Sequence, residues 1–205
     1  ETSPATRAYR YTDYWGTEVT SFDLHAPHTE LKVVASSVVE TSAEIEPITT
    51  GTWADMREEN LVDRYTEFLE PTRYTPRNRE LLAKARELKK GNSPSDAVLA
   101  ASQWVWEQLK YQPGSTGVHS SAVDAWQEKK GVCQDFAHLS LVLLRGMGIP
   151  ARYVSGYLHT KKDGAPRETV RGESHAWIEA WTGGWWGYDP TNAMPVGPRH
   201  VWVAL

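Results

Sequence analysis

The sequence predicts an α+β protein in which a tract of helices feeds an antiparallel sheet, rather than alternating strand–helix–strand units. Three observations carry this. Successive helical segments with start and stop residues fill the stretch from Thr75 to Gly131. "VCQDFAHLSLVLLRGMG" then follows, apolar nearly all round, as a helix is when it is buried. After Pro150, three short runs rich in Val, Tyr and Trp are separated by turn residues, the pattern of paired strands.

Taken in order, "TEVTSFDL" and "LKVVASSVVET" read as strands from their β-branched content, with the turn-like "HAPH" between them. From Pro47 to Pro76 the pattern dissolves into turn residues and charges, with a short helix around Glu58–Phe68. "TPRNRELLAKARELKKG" offers Thr75 as N-cap, Pro76 at the first helical position and Gly91 after a basic last turn. "SPSDAVLAASQWVWEQLKY" repeats the design with Ser93 and Pro94, and "SAVDAWQEKKG" makes a shorter helix ending at Gly131. The apolar helix follows, punctuated by Gly146 and Gly148. "ARYVSGYL", "SHAWIEAW" and "WGYDP" are the strands, joined by an exposed hairpin loop, "HTKKDGAPRE", and a tight "TGGW" turn. The expected organisation is a β-rich N-terminal region over 1–46, a linker over 47–76 and a core over 77–205.

The 205 residues can bury a substantial core as one domain or a domain with an appendage. A net charge of −4 without long runs of one sign gives no reason to expect nucleic acid or an anionic membrane as partner. One cysteine forms no intramolecular disulfide, and no stretch approaches the roughly 20 apolar residues of a membrane span. The polar N-terminus lacks the order of a signal peptide, and Glu1 is not an initiator, so a trimmed or processed chain of the cytoplasm is expected. Oligomeric state is not legible.

The chemistry gathers around Cys133, at the mouth of the apolar helix. Backbone N–H groups there have no intrahelical partner and carry partial positive charge, which stabilises a thiolate and can receive an oxyanion. The competing reading is an inert, packed thiol. In "ESHAWIEAW" the period of two puts His175, Trp177, Glu179 and Trp181 on one strand face and Ala176, Ile178 and Ala180 on the other. A histidine on a central strand near the helix start can take the thiol proton, although a core histidine is the plainer role. Asp189, in "GWWGYDPT", can lie beside His175 once the "TGGW" turn pairs the two strands, and would fix the imidazole. Nucleophile, base and orienter together are far more specific than any one of them.

"GVCQDFAHLSLVLLRGMGIPARYVSGYL", "SHAWIEAW" and "GWWGYDPTN" resemble the transglutaminase-like superfamily, and more closely its bacterial branch of cysteine proteases. The resemblance covers about Ser93 to the C-terminus, and "DYWGTEVTSFDLHAPHTELKVVASSVVE" looks like the end of the β-rich region that such bacterial proteins carry. On that likeness the beginning of that region is expected to be missing and the tail after "RHVWVAL" to be short. The resemblance implies a papain-like fold, a nucleophile-bearing helix packed on an antiparallel sheet, with Cys133 as nucleophile, His175 as base and Asp189 as orienter. Gln134 stands where animal transglutaminases carry Trp, and their calcium sites have no counterpart here, so no metal or other cofactor is expected. Tyr111 is a candidate second oxyanion donor, as is Gln127 by analogy with papain-type enzymes, and Gln134 is a candidate oxyanion or supporting residue. Asp135 and His138 read as helix-cap or supporting residues. Cys133 with His138 is half a zinc site at most, since His25, His28, His119, His159 and His200 supply no ligand spacing.

Ten tryptophans are core anchors or groove walls, with Trp177 and Trp186 the candidates for a substrate groove. The expected activity is acyl transfer on a peptide or protein amide through a thioester, with water as acceptor; an amine acceptor would make a transglutaminase or ligase. The reading of another class is an idle peptide-binding module, which would need none of the three chemistries together.

Overall fold

A computed structural model of the chain describes residues 1–41, 46–159 and 173–205. It has the expected α+β architecture. The elements, in chain order, are strands β1 (Thr2–Ser3), β2 (Ala8–Thr12), β3 (Glu18–Phe22) and β4 (Lys32–Val33), then helices α1 (Glu59–Arg64), α2 (Thr66–Leu69), α3 (Arg79–Lys89) and α4 (Pro94–Gln108). Strand β5 (Lys110–Tyr111), helix α5 (Ala122–Glu128) and strand β6 (Lys130–Gly131) lead into α6 (Cys133–Met147). Strands β7 (Ala151–Leu158), β8 (Glu173–Trp181), β9 (Trp185–Asp189), β10 (Met194–Pro195) and β11 (His200–Ala204) complete the chain.

Five strands form one antiparallel sheet in the order β10-β9-β8-β7-β11. Helix α6 lies on it, and α3, α4 and α5 pack around α6. The core joins Phe136, Leu139, Leu143 and Leu144 of α6 to Ala176, Ile178 and Ala180, the face of β8 that the period of two separates from His175. Each fully buried leucine contributes about 1.5–3 kcal/mol of transfer free energy. The helix stops at Gly148, whose φ of 85° is open to glycine; Gly148 N–H and Ile149 N–H bond Arg145 O and Leu144 O, closing the end.

Several expectations change. Helix α3 is capped by Asn78, whose side chain accepts from Glu80 N and Leu81 N, and not by Thr75. Thr75 is buried and accepts from Arg145 instead. The segment read as one helix over Glu58–Phe68 breaks at Tyr65 into α1 and α2. In the N-terminal region β3 pairs with β2 through the turn at Asp13–Gly16, not with the valine-rich run after "HAPH". That run is strand only at Lys32–Val33, and Val38 and Val39 are exposed: β-branched residues make a strand only where a partner edge is offered. The loop read at "HTKKDGAPRE" lies, from Thr160 on, outside the described residues.

The stretch expected as a linker is clasped to the sheet. Gly51 N–H bonds Thr182 O at 2.7 Å, and a Cβ on Gly51 would stand 2.4 Å from the Thr182 carbonyl carbon. Thr182 Oγ1 in turn donates to Ile48 O. Tyr65 and Phe68 meet Trp185 edge-on at 5.4 and 5.2 Å, and Trp15 of the β2–β3 turn leans on Phe68 at 5.7 Å.

Candidate active site

Two short strands aim the helix that carries Cys133. Lys110 and Tyr111 run parallel to Lys130 and Gly131, so the end of α4 is tied to the approach to α6. Asp135, fully buried, accepts from Val132 N at 2.7 Å and Thr116 Oγ1 at 2.6 Å and so fixes the turn around Cys133. A Cβ at Gly131 would stand 2.5 Å from Asp135 Cβ, so this position holds glycine for space. Asp135 therefore holds the helix start, as its place in the first turn led one to expect. Burial raises its carboxyl pKa, against bonds from Thr116 and Val132 that lower it.

Cys133 is half-buried at the first position of α6, where its N–H has no intrahelical partner. The Cys133 charge acts on the imidazole of His175 on β8, which places the two side chains close together. His175 Nε2 lies 2.7 Å from Asp189 Oδ2, which leaves Nδ1 as the ring nitrogen for the thiol. The structure thus holds a hydrogen-bonded His175–Asp189 pair, with Cys133 near enough for its charge to act on the imidazole. Burial alone would lower the His175 pKa, but its bonds to Asp189 and Cys133 and their charges outweigh it and raise it to about 9. For Asp189, burial alone would raise the carboxyl pKa. Bonds from His175, His200 and Asn192 and the His175 charge hold it well below the usual carboxylate range.

Two members of this cluster were not anticipated. Asn192 Nδ2 donates to Asp189 Oδ2 at 2.7 Å and lies 3.4 Å from His175 Nε2. His200 Nε2 lies 3.1 Å from the same oxygen, and Gly197 N–H donates to His200 Nδ1 at 3.2 Å. A backbone N–H can only donate, so Nδ1 carries the lone pair and the His200 proton sits on Nε2, directed at Asp189. Asp189 Oδ1 accepts from Thr191 N and Asn192 N at 3.0 and 3.2 Å. Five donors therefore converge on one buried carboxylate. "DPTN" contained a signal for Asn192, because such turns fold their polar side chains back. His200 gave none: its approach depends on the chain crossing from β10 to the β7 edge.

His175, Asp189 and His200 also bring ligand-type atoms within 4.8 Å of one another, a grouping that could hold a cation. Hydrogen bonds already account for the grouping, since both histidine nitrogens concerned face Asp189.

The other expected site residues divide. Tyr111 stands near the thiol: its pKa is raised by burial, then by the charges of Cys133 and Glu173. Gln134 is half-buried and its amide reaches Gly117 O at 3.5 Å. Gln127 is exposed on α5. Trp186 is a core residue whose indole N–H donates to Thr182 Oγ1, so it cannot wall a groove. Trp177 is also buried, its ring lying over Gly156, where a Cβ would meet Cη2 at 2.5 Å. It lines a cavity of about 310 Å³ together with Glu40, His200 and Trp202, and Cys133 is not among that lining.

The fold and this cluster define a papain-like α+β protein of the transglutaminase-like kind. A sequence profile described as "Transglutaminase-like superfamily" matches residues 82–190, and the chain belongs to that superfamily. A second profile, for a bacterial transglutaminase-like N-terminal region, matches residues 1–40. A protein of Mycobacterium leprae is 54% identical over 205 residues, covering 100% of this chain and 74% of its own length. A protein-glutamine gamma-glutamyltransferase of Pseudomonas aeruginosa is 29% identical over 162 residues, covering 74% of this chain and 24% of its own. Among solved structures, a Cytophaga hutchinsonii protein assigned as a cysteine protease superposes with a TM-score of 0.72 at 25% identity, covering 100% of this chain and 68% of its own. This chain spans 65% of the length of a Mycobacterium tuberculosis relative that is 30% identical to it.

Proposed function

We propose that the chain is a cysteine-dependent acyl-transfer enzyme acting on peptide or protein amides, with water as acceptor. The observation that carries this reading is the hydrogen-bonded His175–Asp189 pair beside the start of α6, with Cys133 near enough for its charge to act on the imidazole. The Cys133 sulfur attacks the amide carbonyl carbon, and the oxyanion faces the unpaired N–H groups at the start of α6, with Tyr111 near by. The carbon–nitrogen bond then breaks as His175 gives its proton to the leaving amine, and a thioester remains. Water, deprotonated by His175, attacks the thioester; the acid leaves and the thiol is restored. Asp189 holds the imidazole through both halves.

Water is favoured because it is always available, while no amine site is evident around Cys133 among the described residues. The transferase reading has one specific support, the Pseudomonas relative named for glutamyl transfer. The experiment is to incubate the protein with a glutamine-containing protein and a labelled amine. New carboxylate with little amine incorporation is expected; abundant incorporation with little hydrolysis overturns the choice. For the nucleophile itself, iodoacetamide should label Cys133 near neutral pH and label it far more slowly in His175→Ala. Equal rates in the two proteins would point instead to a binding module with an idle thiol.

A further inference from the structure

A second cavity, of about 380 Å³, opens on the flank of α6 and is assigned no role by the reaction above. Gln134, His138 and Leu141 line it from the helix, at a spacing that puts them on one face. Tyr74 and Tyr153 wall it from the sides, and Val118 stands at its rim, largely exposed. It begins beside the nucleophile, since Gln134 follows Cys133 in the chain and Tyr153 feels the Cys133 charge.

Its floor holds an unsatisfied polar side chain. His138 is 8% exposed, its Nδ1 is buried without a partner, and no hydrogen bond is made by its ring among the described residues. Tyr74 stacks on the ring at 5.5 Å and 13°, and Tyr153 meets it at 5.2 Å. Burial, then the Arg145 charge, pushes the His138 pKa down to about 4, so the ring is neutral at working pH. Nδ1 is enclosed, so the ring nitrogen open to a ligand is Nε2, and a hydrogen bond to it contributes on the order of 1 kcal/mol. Arg145 adds a positive field: its guanidinium is held by Ala151 O, Glu70 O and Thr75 Oγ1, all uncharged.

The side of the substrate follows from the reaction, and the inference rests on that reading of Cys133. His175 must protonate the leaving amine, so the leaving group lies toward β8. His175 does not line this cavity, which is left to the acyl part. His138 lies one helical turn, about 6 Å, beyond Gln134, within reach of the second residue from the scissile carbonyl. We propose that this cavity is the subsite for an aromatic side chain tipped with a neutral hydrogen-bonding group, a phenol above all, at that second position. The stem stacks against Tyr74 and Tyr153, and the tip bonds His138. Ammonium and guanidinium side chains are excluded by Arg145.

The test uses peptidyl chloromethyl ketones that alkylate Cys133 and differ only in the second residue: Tyr, Phe, Lys or Gly. Expected is reaction with the Tyr probe about 5–20-fold faster than with Phe, and slower still with Lys. His138→Phe keeps the aromatic stack and should erase the Tyr-over-Phe preference. Val118→Trp, at the exposed rim, should slow the Tyr and Phe probes far more than the Gly probe. A Tyr-over-Phe preference that survives in His138→Phe, or equal rates across the four probes with normal iodoacetamide labelling, overturns the subsite alone. A thiol inert to iodoacetamide at neutral pH overturns the reaction and the subsite with it.

Discussion

At the scale of single residues, the site is a buried carboxylate surrounded by donors, and that arrangement sets what substitutions should do. Asp189→Asn keeps the shape but removes the charge that helps raise His175. The expected result is a loss of about 10⁴ in kcat, the size of loss when the orienting acid of such a triad becomes an amide. The alkaline limb should also move. In the proposed reaction amine departure needs His175 protonated, so the rate should fall as pH rises through about 9, and in Asp189→Asn it should fall from a lower pH. A pH–rate profile of both proteins checks this, and an unmoved limb would separate His175 from the proton transfer. His200 acts one step back. Because Gly197 holds its Nδ1, only Nε2–H faces Asp189. His200→Phe should cost about 1.5–3 kcal/mol of Asp189 stabilisation, read as a partial loss of kcat with little change in KM, and His200→Gln should restore part of it. Cys133, His175 and Asp189 were legible as residue types in a known order. Their supports were not, because Asn192 and His200 matter only through where the chain returns.

At the scale of elements, the start of α6 is the part on which the proposed chemistry depends, and it is built by small contacts. Gly131 leaves room for Asp135, Asp135 holds Val132 N–H and Thr116, and β5 beside β6 brings Tyr111 alongside. Gly131→Ala puts a methyl group 2.5 Å from Asp135 Cβ, and relief would require the helix start to shift. Such overpacking costs about 1–3 kcal/mol. A lowered Tm together with slower iodoacetamide labelling in the folded protein is expected. Normal labelling after the same fall in Tm would show that Cys133 does not rely on this packing. The long helices were legible because their caps are local: Ser93 accepts from Asp96 N as its position foretold. Thr75 misled because Pro76 mimics a helix start, while Asn78 lies closer to the first periodic residues. Two-residue strands such as β5 and β6 leave no pattern in the sequence, since partners more than a dozen residues away create them.

At the scale of the whole molecule, the charges of the proposed site also contribute to the fold, and their sign can be worked out. His175 is raised to about 9 from an ordinary value near 6.5. A base with a raised native pKa contributes stability that is fully present below the ordinary value and is lost as pH climbs through the native one. The difference amounts to about 2–3 kcal/mol, which for a chain of this size is a Tm change of roughly 5–10 °C. Asp189 works at the other end: its lowered pKa adds stability above the ordinary carboxylate range, lost as acid protonates it. Tm should therefore be flat between about pH 5 and 6.5 and decline toward pH 10, with other surface groups adding to the slope. His175→Ala isolates the pair, because those other groups are unchanged. Its Tm should lie below that of the parent at pH 6, and the gap should narrow steadily toward pH 10. A gap that stays constant across that range would mean that packing of the ring, and not its charge, is what His175 gives the fold.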